Sequence, residues 1–330
     1  MTKKGLNTDN LHSDRADEPE HGVLHKPVHT SVAYGYDKAK HLAEVFQGKR
    51  QGYNYGRQLN PTVTALQKRI TKMEAGLSSV GFSTGMAAIS STMLALLKTG
   101  DHVISSSFLF GNTNSFFETL KRLGIEVSFV DATQAKFVEE AVRENTKIVF
   151  TETIANPVTQ VADLVGIGQV CKDKNLVYIV DNTMTSPFSF KPKTVGASLI
   201  INSLTKYIGG HGNALGGMVT DTGIHNWETF DNIIKTYRSE KPELWGITQI
   251  KKKGLRDMGS SLGPEAAHHL AVGSETLSMR MERASSNALQ LVKFCSEHKN
   301  VGATYYPGLP VHPQHTRARK LFKNFGAIFS

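Results

Sequence analysis

Residues 176–206 read LVYIVDNTMTSPFSFKPKTVGASLIINSLTK, and the fold follows from how that stretch is punctuated. Two runs rich in Val, Ile and Leu, 176–180 and 197–201, are too short for buried helices and suit strands covered on both faces. Each delivers a polar group just beyond its end. The first gives Asp181; the second leads through Ser203-Leu204-Thr205 to Lys206. In open α/β sheets, ligands collect outside the carboxyl ends of the strands. An amine and a carboxylate presented there, 25 residues apart in the chain, suit pyridoxal phosphate (PLP). The amine forms the Schiff base and the carboxylate keeps the pyridine nitrogen protonated. A lone lysine at a strand end is usually just solvated, so the reading depends on its surroundings.

Outward from that stretch, strand-like and helix-like segments alternate. Residues 62–75 place Val63, Leu66, Ile70 and Met73 on one helical face, and Gly76 closes that helix. Strands are expected at 80–82, 102–107, 126–130, 147–151, 176–181 and 197–202, with one more at 217–220. Helices are expected at 86–97, 115–123, 137–144 and 164–174. The alternation predicts an α/β domain, a mostly parallel sheet flanked by helices. Residues 1–60 are polar and poorly periodic and read as an extended N-terminal arm. The sheet domain then occupies 61–250, and a partial C-terminal domain 251–330. Within the last part, 264–297 reads as mostly helical, with Leu277, Met281 and Ala284 on its buried face. Thr304-Tyr305-Tyr306-Pro307 reads as a short strand and turn, and 327–330 as the start of another strand.

Composition bounds the possibilities. Charged residues make up 20% and hydrophobic ones 39%, as in an ordinary globular protein. A formal charge of +9 is mild for this length; it suits anionic ligands such as a phosphate cofactor and carboxylate substrates, and serves solubility equally well. Lys251-Lys252-Lys253 is too short a basic run to indicate nucleic acid. Cys171 and Cys295 have no paired spacing, which argues against a disulfide framework or a metal site. Residues 1–20 lack the apolar core of a signal peptide, and no run approaches the ~20 apolar residues of a membrane helix. The cytoplasm is the expected location.

Further candidates fall at other strand ends. Ser83-Thr84-Gly85-Met86 joins a strand to a helix, where Gly85 lets backbone approach and free amides suit a phosphate. Ser203 and Thr205 add hydroxyls that can reach the same phosphate. Asn156, in Asn156-Pro157, is a candidate donor to the phenolic oxygen of the cofactor. Asp181-Asn182-Thr183 follows the strand at 176–181, and Tyr55-Gly56-Arg57 offers a two-pronged phosphate ligand in Arg57. Taken singly, each is more often a helix cap, a turn or a surface arginine.

Together they resemble the Cys/Met-metabolism family of PLP enzymes. This transsulfuration group includes cystathionine γ-synthase, cystathionine γ-lyase, methionine γ-lyase and the O-acylhomoserine sulfhydrylases. The resemblance runs from about residue 27 to residue 330. It rests on five motifs in the family's order: Tyr55-x-Arg57-x-x-Asn60-Pro61-Thr62, Ser83-Thr84-Gly85-Met86, Asn156-Pro157, Asp181-Asn182-Thr183 and Ser203-x-Thr205-Lys206. It implies PLP fold type I, the aspartate-aminotransferase-like fold. Lys206 is then the Schiff-base lysine and proton shuttle, and Asp181, with Thr183 beside it, the partner of the pyridine nitrogen. Gly85, Met86, Ser203 and Thr205 cradle the phosphate. Tyr55 and Arg57 reach into a neighbouring subunit's site, so a homodimer or homotetramer is implied.

Two departures shape the functional reading. Where many members carry a ring-stacking tyrosine, this chain has Phe110 in Phe108-Leu109-Phe110-Gly111, which can stack but has no phenol to move protons. With Gly210-His211-Gly212-Asn213 after the lysine, this looks most like the direct sulfhydrylases. The family's usual length continues past residue 330, and that part carries the arginine that grips the substrate α-carboxylate. Arg280 and Arg283 read as structural instead. The implied activity is γ-replacement on an O-acylhomoserine, with sulfide giving homocysteine or cysteine giving cystathionine. A cystathionine γ-synthase, a γ-lyase acting on cystathionine or methionine, and a truncated chain that binds PLP without turnover are the alternatives.

Overall fold

The computed structural model describes residues 5–14 and 20–330. Seven strands form one sheet: β1 (Ser78–Phe82), β2 (His102–Ser106), β3 (Glu126–Val130), β4 (Thr146–Glu152), β5 (Val177–Asp181), β6 (Leu199–Ser203) and β7 (Gly217–Asp221). Their order is β1-β7-β6-β5-β4-β2-β3. Neighbours from β6 to β3 are parallel, while β7 runs antiparallel between β1 and β6. Because β7 reverses twice, β1 points the same way as β6, and their carboxyl ends share one edge of the sheet.

Side chains alternate faces along a strand, so a sheet covered on both sides needs apolar residues at nearly every position. Val103, Phe150, Ile179, Ile201 and Val219 pack on one face with Met93 and Leu96 of the helix Gly85–Leu96. Ile104, Val149, Tyr178, Val180 and Ile200 pack on the other with Leu164 and Ile167 of the helix Leu164–Asp173. Each of these ten strand residues is at most 1% exposed. Burying an aliphatic or aromatic side chain contributes roughly 1.5–3 kcal/mol, and this repeated burial holds the strand ends in fixed positions.

The helix Pro61–Met73 is capped by Asn60, whose Oδ1 accepts from the Thr62 and Val63 amides at 2.9 and 3.3 Å. Its buried face carries Leu66, Ile70 and Met73, which meet Leu270, Leu277 and Met281 from beyond residue 264.

Three local expectations change. The arm contains the helices Leu6–His12 and Ala39–Phe46. The first docks through polar pairs: Asn10 donates to the Ser274 carbonyl at 2.5 Å, and Asp14 just beyond the helix meets Arg69 at 2.8 Å. Polar docking leaves no apolar period in the sequence. Residues 264–297 form two helices, Pro264–Ser274 and Leu277–Glu297. At the break, the hydroxyls of Ser274 and Thr276 donate to the carbonyls of Ala271 and Gly273, as such side chains do when they compete with helix. Residues 304–307 and 327–330 form no strand, although the backbones of Tyr305 and Ser330 pair with each other. Pro307 has no N–H with which to extend that pairing.

Among the described residues no helix is long and apolar enough to cross a membrane. Among the same residues, no group of three or more His, Cys, Asp or Glu side chains could hold a metal ion. Cys171 and Cys295 are free thiols.

Candidate active site

A cavity of about 540 Å³ opens at the carboxyl ends of β1, β4, β5 and β6. It is lined by Gly85, Met86, Phe110, Glu152, Asn156, Asp181, Thr183, Ser203, Thr205 and Lys206, with Thr113, Met184, Tyr207, Gly210, Arg280 and Ile328 among the others. Nine of the eleven residues singled out in the sequence therefore converge on one space. Tyr55 and Arg57 do not line it within their own chain. Arg57 donates to the Arg256 carbonyl and lies 5.3 Å from the Tyr55 ring centre, and Tyr55 is 39% exposed.

Lys206 follows β6 in a tight turn whose floor is set by Leu204 and Ile208, both buried. The turn closes through Gly209 N–H to Leu204 O and Gly210 N–H to Lys206 O, each 2.8 Å. Arg280 clamps it from outside, donating to the Tyr207, Ile208 and Gly273 carbonyls at 2.5, 3.1 and 2.7 Å. With Nε donating to the Thr276 hydroxyl at 3.0 Å, the guanidinium is spent on three carbonyls and one hydroxyl. The Lys206 amine itself is exposed to the cavity and makes no hydrogen bond or ion pair among the described residues.

At the helix Gly85–Leu96 the Thr84 hydroxyl accepts from the Ala87 amide at 2.9 Å. The amides of Gly85 and Met86 start the helix and have no intrahelical acceptor. A Cβ at Gly85 would lie 2.8 Å from the Ser203 Cβ, so only glycine lets the two segments close into one cradle. Thr205 is pinned by its hydroxyl, which accepts from the Gly216 amide at 3.0 Å. The Ser203 amide donates to the Thr183 hydroxyl at 2.8 Å, and the Thr183 amide to Asp181 Oδ1 at 2.8 Å.

The floor holds two carboxyl groups side by side, because Glu152 and Asp181 are paired positions on β4 and β5. Glu152 accepts from the Phe110 amide at 2.8 Å and from the Asn156 amide. Burial, and after it the charge of Asp181, push Glu152 up to about 8. Burial raises Asp181 as well, while the Thr183 hydroxyl and amide pull it back. One proton shared with Glu152 leaves Asp181 free to carry the negative charge.

These features fit PLP: a free amine, a buried carboxylate opposite it, and a glycine-lined helix start for a phosphate. The sequence profile of the Cys/Met metabolism PLP-dependent enzymes matches residues 7–330. The chain belongs to that family. As a Cys/Met metabolism PLP-dependent enzyme it is a PLP-dependent lyase or transferase of transsulfuration. Members act on amino-acid substrates and are generally oligomeric. An L-methionine gamma-lyase of Fusobacterium nucleatum subsp. polymorphum is 38% identical over 333 residues, covering 100% of this chain and 79% of that protein. A homocysteine/cysteine synthase of Kluyveromyces lactis is 35% identical over 319 residues, covering 92% of this chain and 72% of that protein. Among solved structures, a protein of Campylobacter jejuni subsp. jejuni described as an O-acetylhomoserine (thiol)-lyase superposes with a TM-score of 0.93 at 29% identity. That match covers 99% of this chain and 85% of the other, which carries N'-pyridoxyl-lysine-5'-monophosphate.

The sequence reading of this family member missed Glu152, Thr113, Met184, Tyr207 and Ile328. Glu152 was detectable: it ends an apolar run just as Asp181 does, but β4 was expected to stop at Thr151. The others carry no local signal, since an ordinary side chain becomes part of a cavity only through the fold.

Proposed function

We propose that the chain catalyses γ-replacement on an O-acylated homoserine with a sulfur nucleophile, giving homocysteine from sulfide or cystathionine from cysteine. The observation that carries the reading is the unpartnered Lys206 amine, held over a cavity floored by the Glu152–Asp181 pair. An amine that must take a proton from one carbon and deliver it to the next has to be mobile and free of ion pairs.

Lys206 holds the cofactor, and Asp181 with Thr183 faces its pyridine nitrogen. The Gly85 and Met86 amides with the Ser203 and Thr205 hydroxyls receive its phosphate, and Asn156 its phenolic oxygen. PLP, when bound, withdraws electrons from the substrate carbon that loses its proton. The Lys206 amine would take protons from Cα and Cβ and return them after the acyloxy group has left Cγ as a carboxylate and the sulfur nucleophile has formed its bond to Cγ. Phe110 covers the site as an apolar ring. With no phenol at that position, the proton transfers fall to Lys206. Tyr55 and Arg57, turned away from their own cavity, are assigned to a second subunit's phosphate in a homodimer or homotetramer. The similarity to a homocysteine/cysteine synthase and to a described O-acetylhomoserine (thiol)-lyase supports the sulfur-transfer reading. The similarity to an L-methionine gamma-lyase favours a second reading, γ-elimination.

Product analysis separates the two. O-acetylhomoserine supplied with sulfide, with cysteine, or with no nucleophile is expected to give homocysteine, less cystathionine, and little 2-oxobutyrate. Rapid release of 2-oxobutyrate from methionine, with no homocysteine from sulfide, would replace the first reading with the second.

A further inference from the structure

Glu74 lies outside the cavity, at the carboxyl end of the helix Pro61–Met73, and is fully buried. A single carboxyl oxygen, Oε1, accepts from Asn182 Nδ2 at 2.9 Å and from Asn202 Nδ2 at 2.7 Å. Both asparagines are themselves fully buried. Asn182 follows Asp181 at the end of β5, and Asn202 precedes Ser203 at the end of β6. Two direct ties join the same strand ends: the Asn182 amide donates to the Ile201 carbonyl at 2.8 Å, and the Ser203 amide to the Thr183 hydroxyl at 2.8 Å.

Apolar residues could have filled this place, as Ile70 and Met73 do one turn back and next door. Burying a carboxyl group is costly, so its presence needs an explanation beyond packing. Backbone pairing alone leaves neighbouring strands free to twist at their ends. A third point, anchored at the end of a helix that packs on β1 and β7, restricts that freedom. The residues whose positions it controls are those on either side of the cavity, Asp181 on β5 and the Ser203–Lys206 turn on β6.

We propose that Glu74 is a positioning residue for cofactor binding: its carboxyl group gathers Asn182 and Asn202 and so holds Asp181 and the turn bearing Ser203, Thr205 and Lys206 at the separation PLP requires. This rests on the site assignment above.

The test measures the Kd of the apoprotein for PLP and the position of the bound absorbance band, alongside the apoprotein melting temperature. Glu74→Ala is expected to raise the Kd by about 10- to 100-fold and to shift the band, since it takes the acceptor from Asn202 Nδ2 and leaves Asn182 Nδ2 with the Phe190 carbonyl alone. Glu74→Gln, which keeps an oxygen for both amides, should stay within about threefold of the parent. Ile70→Ala, which lowers stability on the same helix without touching either asparagine, should leave Kd and band in place. The proposal is overturned if Glu74→Ala changes Kd and band no more than Ile70→Ala does. Should Glu74→Ala fail to fold, Asn202→Ala carries the same test with the same two outcomes. A bound band that persists unchanged in Lys206→Ala would sink the site assignment instead, which keeps the two failures distinct.

Discussion

Lys206 and Glu152 show what a single side chain contributes at this site. Among the described residues nothing pairs with the Lys206 amine, and the turn that carries it satisfies its own backbone. Lys206→Ala should lose the covalent absorbance band and at least about 10³-fold in turnover, checked by spectrum and product assay. Glu152 acts by holding the Phe110 and Asn156 amides while sitting beside Asp181. Glu152→Gln keeps the acceptor and should retain kcat/KM within about fivefold, whereas Glu152→Ala frees both amides and should lose about 10- to 100-fold. Equal losses in the two variants would mean that the proton Glu152 holds beside Asp181 matters more than its acceptor oxygen. Asp181 is more legible in the sequence than Glu152. Each closes an apolar run, but only Asp181 is followed by a second motif residue, Thr183, that marks it.

Elements add constraints that residue identity does not express. The alternation of strand and helix could be read from periodicity because both faces of the sheet are covered, and the central strands β5 and β6 are apolar through most of their length. The break at 275–276 could not, because side-chain hydroxyls rather than proline or glycine end the helix there. The junction of β1 with the helix Gly85–Leu96 is closely packed. Gly85→Ala would drive a methyl group to 2.8 Å from the Ser203 Cβ, so the two arms of the cradle must part. The expected result is a loss of about 1–3 kcal/mol in stability and weaker PLP binding, measured by denaturation and cofactor titration. Unchanged binding would show that the cradle is more pliant than its packing indicates. Arg280 donates to backbone carbonyls of the lysine turn and also stands on the cavity wall, a place that appears only when the second helix is set against that turn.

For the whole molecule, buried acids dominate the response to pH. Burial raises Glu152 to about 8, and Glu74 and Asp221 to about 7. Each binds its proton more tightly folded than unfolded, so the stability it lends is present in acid and is lost as pH rises through those values. His225, lowered by burial from 6.5 to about 4, works in the opposite sense but only below 6.5. Lys251, lowered to about 8, acts above that. Between pH 6.5 and 8 the apoprotein should therefore melt at progressively lower temperature, and Glu74→Gln should flatten the slope. A level profile across that window would show that these carboxyls ionise without penalty. At the level of assembly, mixing Lys206→Ala with Arg57→Ala subunits tests whether sites are shared. If Arg57 serves a partner's cavity, each hybrid dimer holds one intact site, and a 1:1 mixture should recover about a quarter of parental activity. No recovery would place Arg57 in its own chain's function. Finally, β7 is the last strand in sequence yet lies between β1 and β6, so the two arms of the cradle cannot meet until it inserts. On a ribosome, Gly85 and Ser203 would both have emerged with nothing to hold them together until residues 217–221 followed. Cofactor capture is thus a timing signal: it reports closure of the sheet, a late and non-local event in folding, and not the appearance of Lys206 itself.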